Sequence, residues 1–264
     1  MAMAAVELRG LSKRYPSGLL ALEPLDLDIE AGAFVAVVGS SGAGKSTLIR
    51  LINGLESATS GTVTVDGVGL RAGTLRRIRS GVGMVFQQFN LVGRLSVITN
   101  VLTGRLAQRS TLGSLFHLFR QQDLEIAHAA LARVGLVDKA WERADRLSGG
   151  QQQRVGTARA LAQQPRLILA DEPVASLDPV TAIEIMELLQ DINRRDGITL
   201  VVSLHQVDLV RRYAGRVLGL NAGRLVYDGP ATGLTEGVLR DIYQRPSRVN
   251  SGVEATRGAP LSDA

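Results

Sequence analysis

The chain has 264 residues and is 45% hydrophobic, enough to bury a full core, and this length suits one α/β domain with an added lobe. It contains no cysteine, which excludes disulfides, thiolate nucleophiles and zinc–thiolate sites. Its 30 basic and 25 acidic residues leave a net charge of +5 with no dense Lys/Arg block, so the pattern does not call for nucleic acid, although a mild basic excess also suits a protein beside anionic lipid.

In chain order, the opening Met-Ala-Met-Ala-Ala runs straight into an alternating segment, without a leader pattern. Residues 6–11 alternate and predict an edge strand. Residues 25–29 (Leu-Asp-Leu-Asp-Ile) show the period-2 pattern of a half-exposed strand. The apolar β-branched run Phe34–Val38 predicts a strand buried on both faces. A helix is expected over 45–53, stopped by Gly54, and a hairpin over 61–67 around Asp66-Gly67. Val82–Phe86 is a further short apolar strand. From 96 to 141 the pattern turns helical, with breaks at Gly104 and Gly113. Helices follow at 154–162 and 180–196, and strands at 167–170 and 198–203. Strand–helix alternation of this kind implies a parallel sheet with helical crossovers. No window reaches the roughly eighteen apolar residues of a membrane span, so the expected place is the cytosol or a membrane surface. After Gln244 the composition turns small and polar, and 247–264 is expected to be a disordered tail.

Three segments carry chemistry. Gly39-Ser40-Ser41-Gly42-Ala43-Gly44-Lys45-Ser46 matches G-x-x-x-x-G-K-S between a predicted strand and a predicted helix. Its glycines let backbone N–H groups face phosphate oxygens, and the helix beginning near Lys45 adds its dipole. Lys45 would reach the β- and γ-phosphates, and Ser46 would coordinate Mg²⁺. A turn that merely contains a lysine would not need this strand before it and helix after it. The strand at 167–170 ends in Asp171-Glu172, at the carboxyl edge where parallel sheets bind ligands. Asp171 would hold the magnesium shell, and Glu172 would polarise the attacking water. Taken alone, two acids before Pro173 fit a helix N-cap equally well; the phosphate loop tips the reading towards catalysis. Third, Leu147-Ser148-Gly149-Gly150-Gln151 reads as a cap followed by a glycine-rich first turn, which is itself an anion site. His117 and His128 lack partners at metal spacing and read as packing or surface residues.

A phosphate loop, an LSGGQ run and an acidic strand end, in that order, resemble the ATP-binding cassette ATPases that drive membrane transporters. The resemblance covers about residues 6–229. It implies a P-loop NTPase α/β core with a mixed sheet, an antiparallel β edge subdomain and a helical lobe: one domain over 1–246, with core 1–95 and 160–246 and lobe 96–159. It implies ATP and Mg²⁺ as cofactors, with Gly39 to Ser46 and Thr47 around the phosphates. Tyr15 would stack on adenine, Gln87 would touch Mg²⁺ and sense the membrane partner, and His205 would contact the γ-phosphate. It also implies a head-to-tail dimer in which Ser148, Gly149, Gly150 and Gln151 complete the site of a second copy, with Asp178 in the inter-subunit loop Ser176-Leu177-Asp178.

Finer features, among them 86–92, Asn100-Val101-Leu102, 170–179 and Leu204-His205-Gln206-Val207-Asp208, are similar to the phosphonate-import ATPases, with local departures at Gly93, Thr99 and Gly156-Thr157. That resemblance implies a peripheral protein on the cytoplasmic face of the inner membrane, working with permease subunits and indirectly with a solute-binding protein. An importer ATPase for methionine or polar amino acids, and a soluble cassette of phosphonate metabolism, are the alternatives. A nucleic-acid or ribosome ATPase of this family would carry two cassettes or a long coiled coil, which this chain lacks. The apolar insert 112–119, flanked by Arg105, Arg109 and Arg120, reads either as lobe core or as a docking surface for the permease.

Overall fold

The computed structural model describes residues 4–108 and 119–244; the expected tail at 247–264 and residues 112–118 of the insert lie outside them. Three apolar runs form the centre: β3 (Phe34–Val38), β7 (Leu167–Asp171) and β8 (Thr199–Leu204) are buried at every position. With β6 (Val82–Phe86), β9 (Arg216–Asn221) and β10 (Arg224–Pro230) they build a six-stranded sheet in the order β10-β9-β3-β8-β7-β6. All neighbours run parallel except β10, which pairs antiparallel to β9. Continuous hydrophobicity is required because both faces of this sheet are covered. Its period-2 side-chain alternation divides the core. Val35, Val37, Leu167, Leu169 and Val201 pack on one face with α1 (Lys45–Ile52). Phe34, Ala36, Val38, Ile168, Ala170, Leu200 and Val202 pack on the other with α6 (Pro179–Asp196), α7 (Val207–Tyr213) and α8 (Glu236–Tyr243).

The face carrying α1 is closed by a second, antiparallel sheet in the order β2-β1-β4-β5, made of β1 (Ala4–Arg14), β2 (Leu20–Glu30), β4 (Ser60–Val65) and β5 (Val68–Gly69). Leu25, Leu27 and Ile29 of β2 point into the core while Asp26 and Asp28 face outwards, as the alternation predicts. The expectation of an edge strand at 6–11 is corrected: β1 lies inside the sheet, paired with both β2 and β4. Alternation reports a covered face; it carries no information on how many neighbours a strand has.

A third cluster builds the helical lobe. It joins α3 (Val97–Leu102), α4 (Gln121–Arg133) and α5 (Gly149–Ala162) through Val97, Ile98, Val101, Ala127, Leu131, Val155 and Ala158, with Phe119 half-buried against it. At Gly104 the α-helix has given way to a 3₁₀ turn, and a Cβ there would lie 2.3 Å from Arg159 O, so the missing side chain lets this turn press onto α5. Arg105 points inwards and forms a buried pair with Asp123 at 3.2 Å. The α5 helix begins at Gly149, directly after the expected cap at Ser148, so the helix expected over 154–162 extends back to the glycine-rich first turn. Ser148 accepts from Gln151 N while Gln151 Oε1 accepts from Ser148 N, a reciprocal cap that starts a helix through two glycines. Among the described residues no helix is long and apolar enough to cross a membrane.

Candidate nucleotide site

The turn between β3 and α1 sets the site. Gly42 and Gly44 hold φ of 80° and 104°, and a Cβ on Gly44 would meet Ala21 O at 2.5 Å, so both conformation and space demand glycine there. Gly44 occupies the N-cap of α1 without a side-chain cap, leaving the first N–H groups of the helix open to an acceptor. Lys45 is 4% exposed; its Nζ donates to Gly39 O at 3.0 Å and Ser40 O at 3.1 Å and lies 3.8 Å from Glu172 Oε1. Burial lowers the Lys45 ammonium below its ordinary range, and the charges of Glu172 and Asp171 oppose that shift.

The two acids arrive at the end of β7. Ser46 Oγ donates to Asp171 Oδ1 at 2.8 Å, and Ser203 Oγ on β8 donates to the same oxygen at 3.0 Å. Ser203 also accepts the Glu172 N–H at 2.8 Å. Glu172 sits at φ 50°, a left-handed conformation that costs a non-glycine residue about 1–2 kcal/mol, and this hydrogen bond helps to hold it there. Its Oε1 shares a 2.5 Å hydrogen bond with His205 Nε2. Arg50 on α1 brings a guanidinium to 3.9 Å from Asp171 Oδ2. Lys45, Ser46, Asp171, Glu172 and His205 therefore converge. Ser203 and Arg50 complete the group and were not among the candidates. Only Ser203 left a signal in the sequence, as the one hydroxyl within the otherwise apolar run Leu200–Leu204.

A cavity of about 220 Å³ opens beside the loop, lined by Ser41, Gly42, Gly44, Lys45, Ser46, Thr47 and Glu172 together with Tyr15, Leu19 and Ala21. Tyr15 forms its far wall, with its hydroxyl 3.5 Å from Thr47 Oγ1 and Lys13 Nζ 4.9 Å from the ring centroid. Lys13 is in turn held by Glu56 at 3.0 Å. Gln87 is exposed and follows Phe86, the residue that pairs with Asp171 across β6 and β7.

Ser148, Gly149, Gly150 and Gln151 do not line this cavity. They start α5 against the start of α6, where a Cβ on Gly150 would meet Thr181 Cγ2 at 2.4 Å. Asp178 caps α6, accepting from Val180 N at 3.1 Å and Thr181 N at 3.0 Å. The loop after Gln87 also packs on α5: Arg159 donates to Phe89 O at 3.0 Å and Asn90 O at 2.5 Å, holding two consecutive left-handed residues. His128 lies 6.4 Å, ring to ring, from Trp141, as a packing residue.

The profile of the ABC transporter family matches residues 22–175. The chain is 64% identical over 243 residues to the phosphonates import ATP-binding protein PhnC of Thiobacillus denitrificans, a match covering 92% of this chain and 94% of that protein. It is 57% identical over 245 residues to phosphonates import ATP-binding protein PhnC 2 of Trichodesmium erythraeum, with the same coverage of each chain, 92% and 94%. Among solved structures, a dimeric ATP-binding cassette in a post-hydrolysis state bound to ADP and Pi matches with a TM-score of 0.75 and 35% identity, over 86% of this chain and 98% of that one.

Proposed function

Because the chain belongs to the ABC transporter family, we propose that it is the ATP-hydrolysing subunit of a phosphonate importer, working on a separate permease from the cytoplasmic face of the inner membrane. Convergence of Lys45, Asp171, Glu172 and His205 on one glycine-rich loop is the observation that carries ATP hydrolysis. The substrate class rests on the phosphonate-import relatives.

Tyr15 stacks on the adenine, and Thr47 and the N–H groups of residues 39–46 surround the phosphates. Lys45 exchanges its two loop carbonyls for phosphate oxygens. Glu172 accepts the proton of the attacking water, a role worth about 10²- to 10⁴-fold in rate. His205, hydrogen-bonded to Glu172, orients that carboxylate and faces the γ-phosphate. A magnesium ion, held by Ser46, Asp171 and Gln87, would neutralise charge on the phosphates. The adjacent hydroxyl and carboxylate of Ser46 and Asp171 are the oxygen donors such an ion takes when phosphates and water supply the rest.

The α5 N-terminus, with Ser148, Gly149, Gly150 and Gln151, completes the site of a second copy in a head-to-tail dimer, and Asp178 lies in the loop between the copies. Support comes from the absence of these α5 residues from the cavity of their own chain. The lobe over 96–159 faces the permease, and a solute-binding protein delivers the substrate to that permease.

Deleting the gene and supplying a phosphonate as the only phosphorus source tests this reading. Wild type restores growth and uptake of labelled phosphonate, and Lys45→Ala restores neither. Uptake unaffected by the deletion, in a host with no second phosphonate importer, moves the substrate to another small solute.

A further inference from the structure

Lys13 stands one residue before the end of β1 and is only 9% exposed. A lysine is seldom buried without partners, and this one has three. Its Nζ donates to Ser57 O at 2.8 Å, pairs with Glu56 at 3.0 Å and lies 4.9 Å from the centroid of the Tyr15 ring. Tyr15 lines the nucleotide cavity and Lys13 does not, so the ammonium covers the ring from the side turned away from the cavity.

The anchors of this cation belong to the helix that carries the phosphate loop. Glu56 and Ser57 follow α1, and Glu56 N donates back to Arg50 O of that helix at 3.2 Å. The helix α2 (Leu75–Gly81) pins the same loop, with Arg79 donating to Asn53 O at 3.2 Å and to Gly54 O at 2.5 Å. At the other end of α1 the Tyr15 hydroxyl lies 3.5 Å from Thr47 Oγ1. The ring is therefore tied to both ends of α1. A base and a phosphate chain joined through one ribose need the ring and the loop at a fixed separation.

A tie between β1 and this loop does not itself require Lys13. Thr59 N donates to Ser12 O at 2.9 Å, Arg14 N donates to Thr59 Oγ1 at 2.9 Å, and the Ser12 and Ser60 hydroxyls share a hydrogen bond of 2.8 Å. What the ammonium adds is charge against a π face. Two stacked rings repel through their like quadrupoles. A cation behind one of them draws π density away from the face that the other ring meets.

We infer that Lys13 is a positioning residue for the adenine base: it fixes the Tyr15 ring relative to the phosphate loop and polarises that ring for stacking. This rests on the reading of Tyr15 as the surface on which adenine stacks. Lys13 touches neither the nucleotide nor the reacting atoms and acts through the ring alone.

Calorimetry on the full chain with Mg-ADP tests this through a double-mutant cycle. Lys13→Met keeps an unbranched side chain and loses the charge, and it should weaken ADP about threefold to tenfold. Tyr15→Leu should weaken it about tenfold. The double variant should bind within about twofold of Tyr15→Leu, because the cation then has no ring to act on. Lys13→Gln can still donate to Ser57 O and should lose as much as Lys13→Met. If Lys13→Met does not fold, Lys13→Gln and its combination with Tyr15→Leu carry the test. Mg-pyrophosphate, which has no base to stack, should bind every variant as it binds wild type. Losses that multiply in the double variant, an equal loss for pyrophosphate, or wild-type ADP affinity in either Lys13 variant overturns the proposal. Wild-type affinity in Tyr15→Leu removes adenine stacking itself, and the role of Lys13 with it. Loss in Tyr15→Leu with none at Lys13 removes the role of Lys13 alone.

Discussion

Ser203 donates its hydroxyl to Asp171 Oδ1 across 3.0 Å, from the neighbouring strand of the sheet. Ser203 Oγ in turn accepts the Glu172 N–H, so one fully buried hydroxyl aligns both acids. Ser203→Ala strands that N–H and removes a donor from Asp171. A loss of about 1–3 kcal/mol in stability is expected from the unpaired groups. ATP hydrolysis should fall about tenfold, the rate equivalent of about 1.4 kcal/mol of lost positioning, and Ser203→Thr, which keeps the hydroxyl, should recover most of it. Steady-state ATPase assays with thermal melts check this; unchanged turnover in Ser203→Ala would show that Ser203 does not position the acids.

The role of Ser203 marks where the sequence ran out. The phosphate loop was legible because its chemistry lies within eight consecutive residues, and β3, β7 and β8 were legible as unbroken apolar runs. The alternation of Leu25 to Ile29 likewise gave the inward face of β2. What connects Ser203 to Asp171 is pairing between strands more than thirty positions apart, which no local pattern encodes. The start of α5 was legible as a cap at Ser148 with a glycine-rich first turn, while the periodic helix pattern showed only from 154; what joins the two is the reciprocal Ser148–Gln151 contact. The sequence shows Arg105 only as a cation flanking the insert; its inward turn depends on Asp123 of α4.

That buried pair makes a second prediction. Arg105 and Asp123 are 8% and 5% exposed, and Arg105 also donates to Ala162 O at 2.9 Å. Burial lowers the Arg105 guanidinium below its usual range. Arg105→Ala takes this guanidinium away from the buried Asp123 carboxylate and from Ala162 O, and a destabilisation of up to about 3–5 kcal/mol is expected. A paired apolar replacement, Arg105→Met with Asp123→Leu, should recover much of that. Chemical denaturation separates the two, and equal losses in both would mean that the ion pair is not what the lobe loses.

Asp178 gives a pH dependence with a definite sign. Hydrogen bonds from the Thr181 side chain and backbone hold its carboxyl below the ordinary carboxylate range. A depressed folded value means the cap stabilises the fold above the unfolded carboxylate range and stops doing so as pH falls through the folded value. Asp178→Ala should therefore melt lower than wild type at neutral pH, with the gap closing in acid. Asp178→Asn keeps an acceptor and should lie between the two at neutral pH. A gap that persists unchanged into acid would remove the ionised cap from the account.

The proposal that two copies share each ATP is tested most directly by the mass of Glu172→Gln in solution. The amide keeps the shape of the side chain and loses the base, so ATP should bind and turn over about 10²- to 10⁴-fold more slowly. Light scattering should then find a dimer with saturating Mg-ATP and a monomer with ADP. A monomer under saturating Mg-ATP, with ATP binding demonstrated in the same sample, would contradict the shared site.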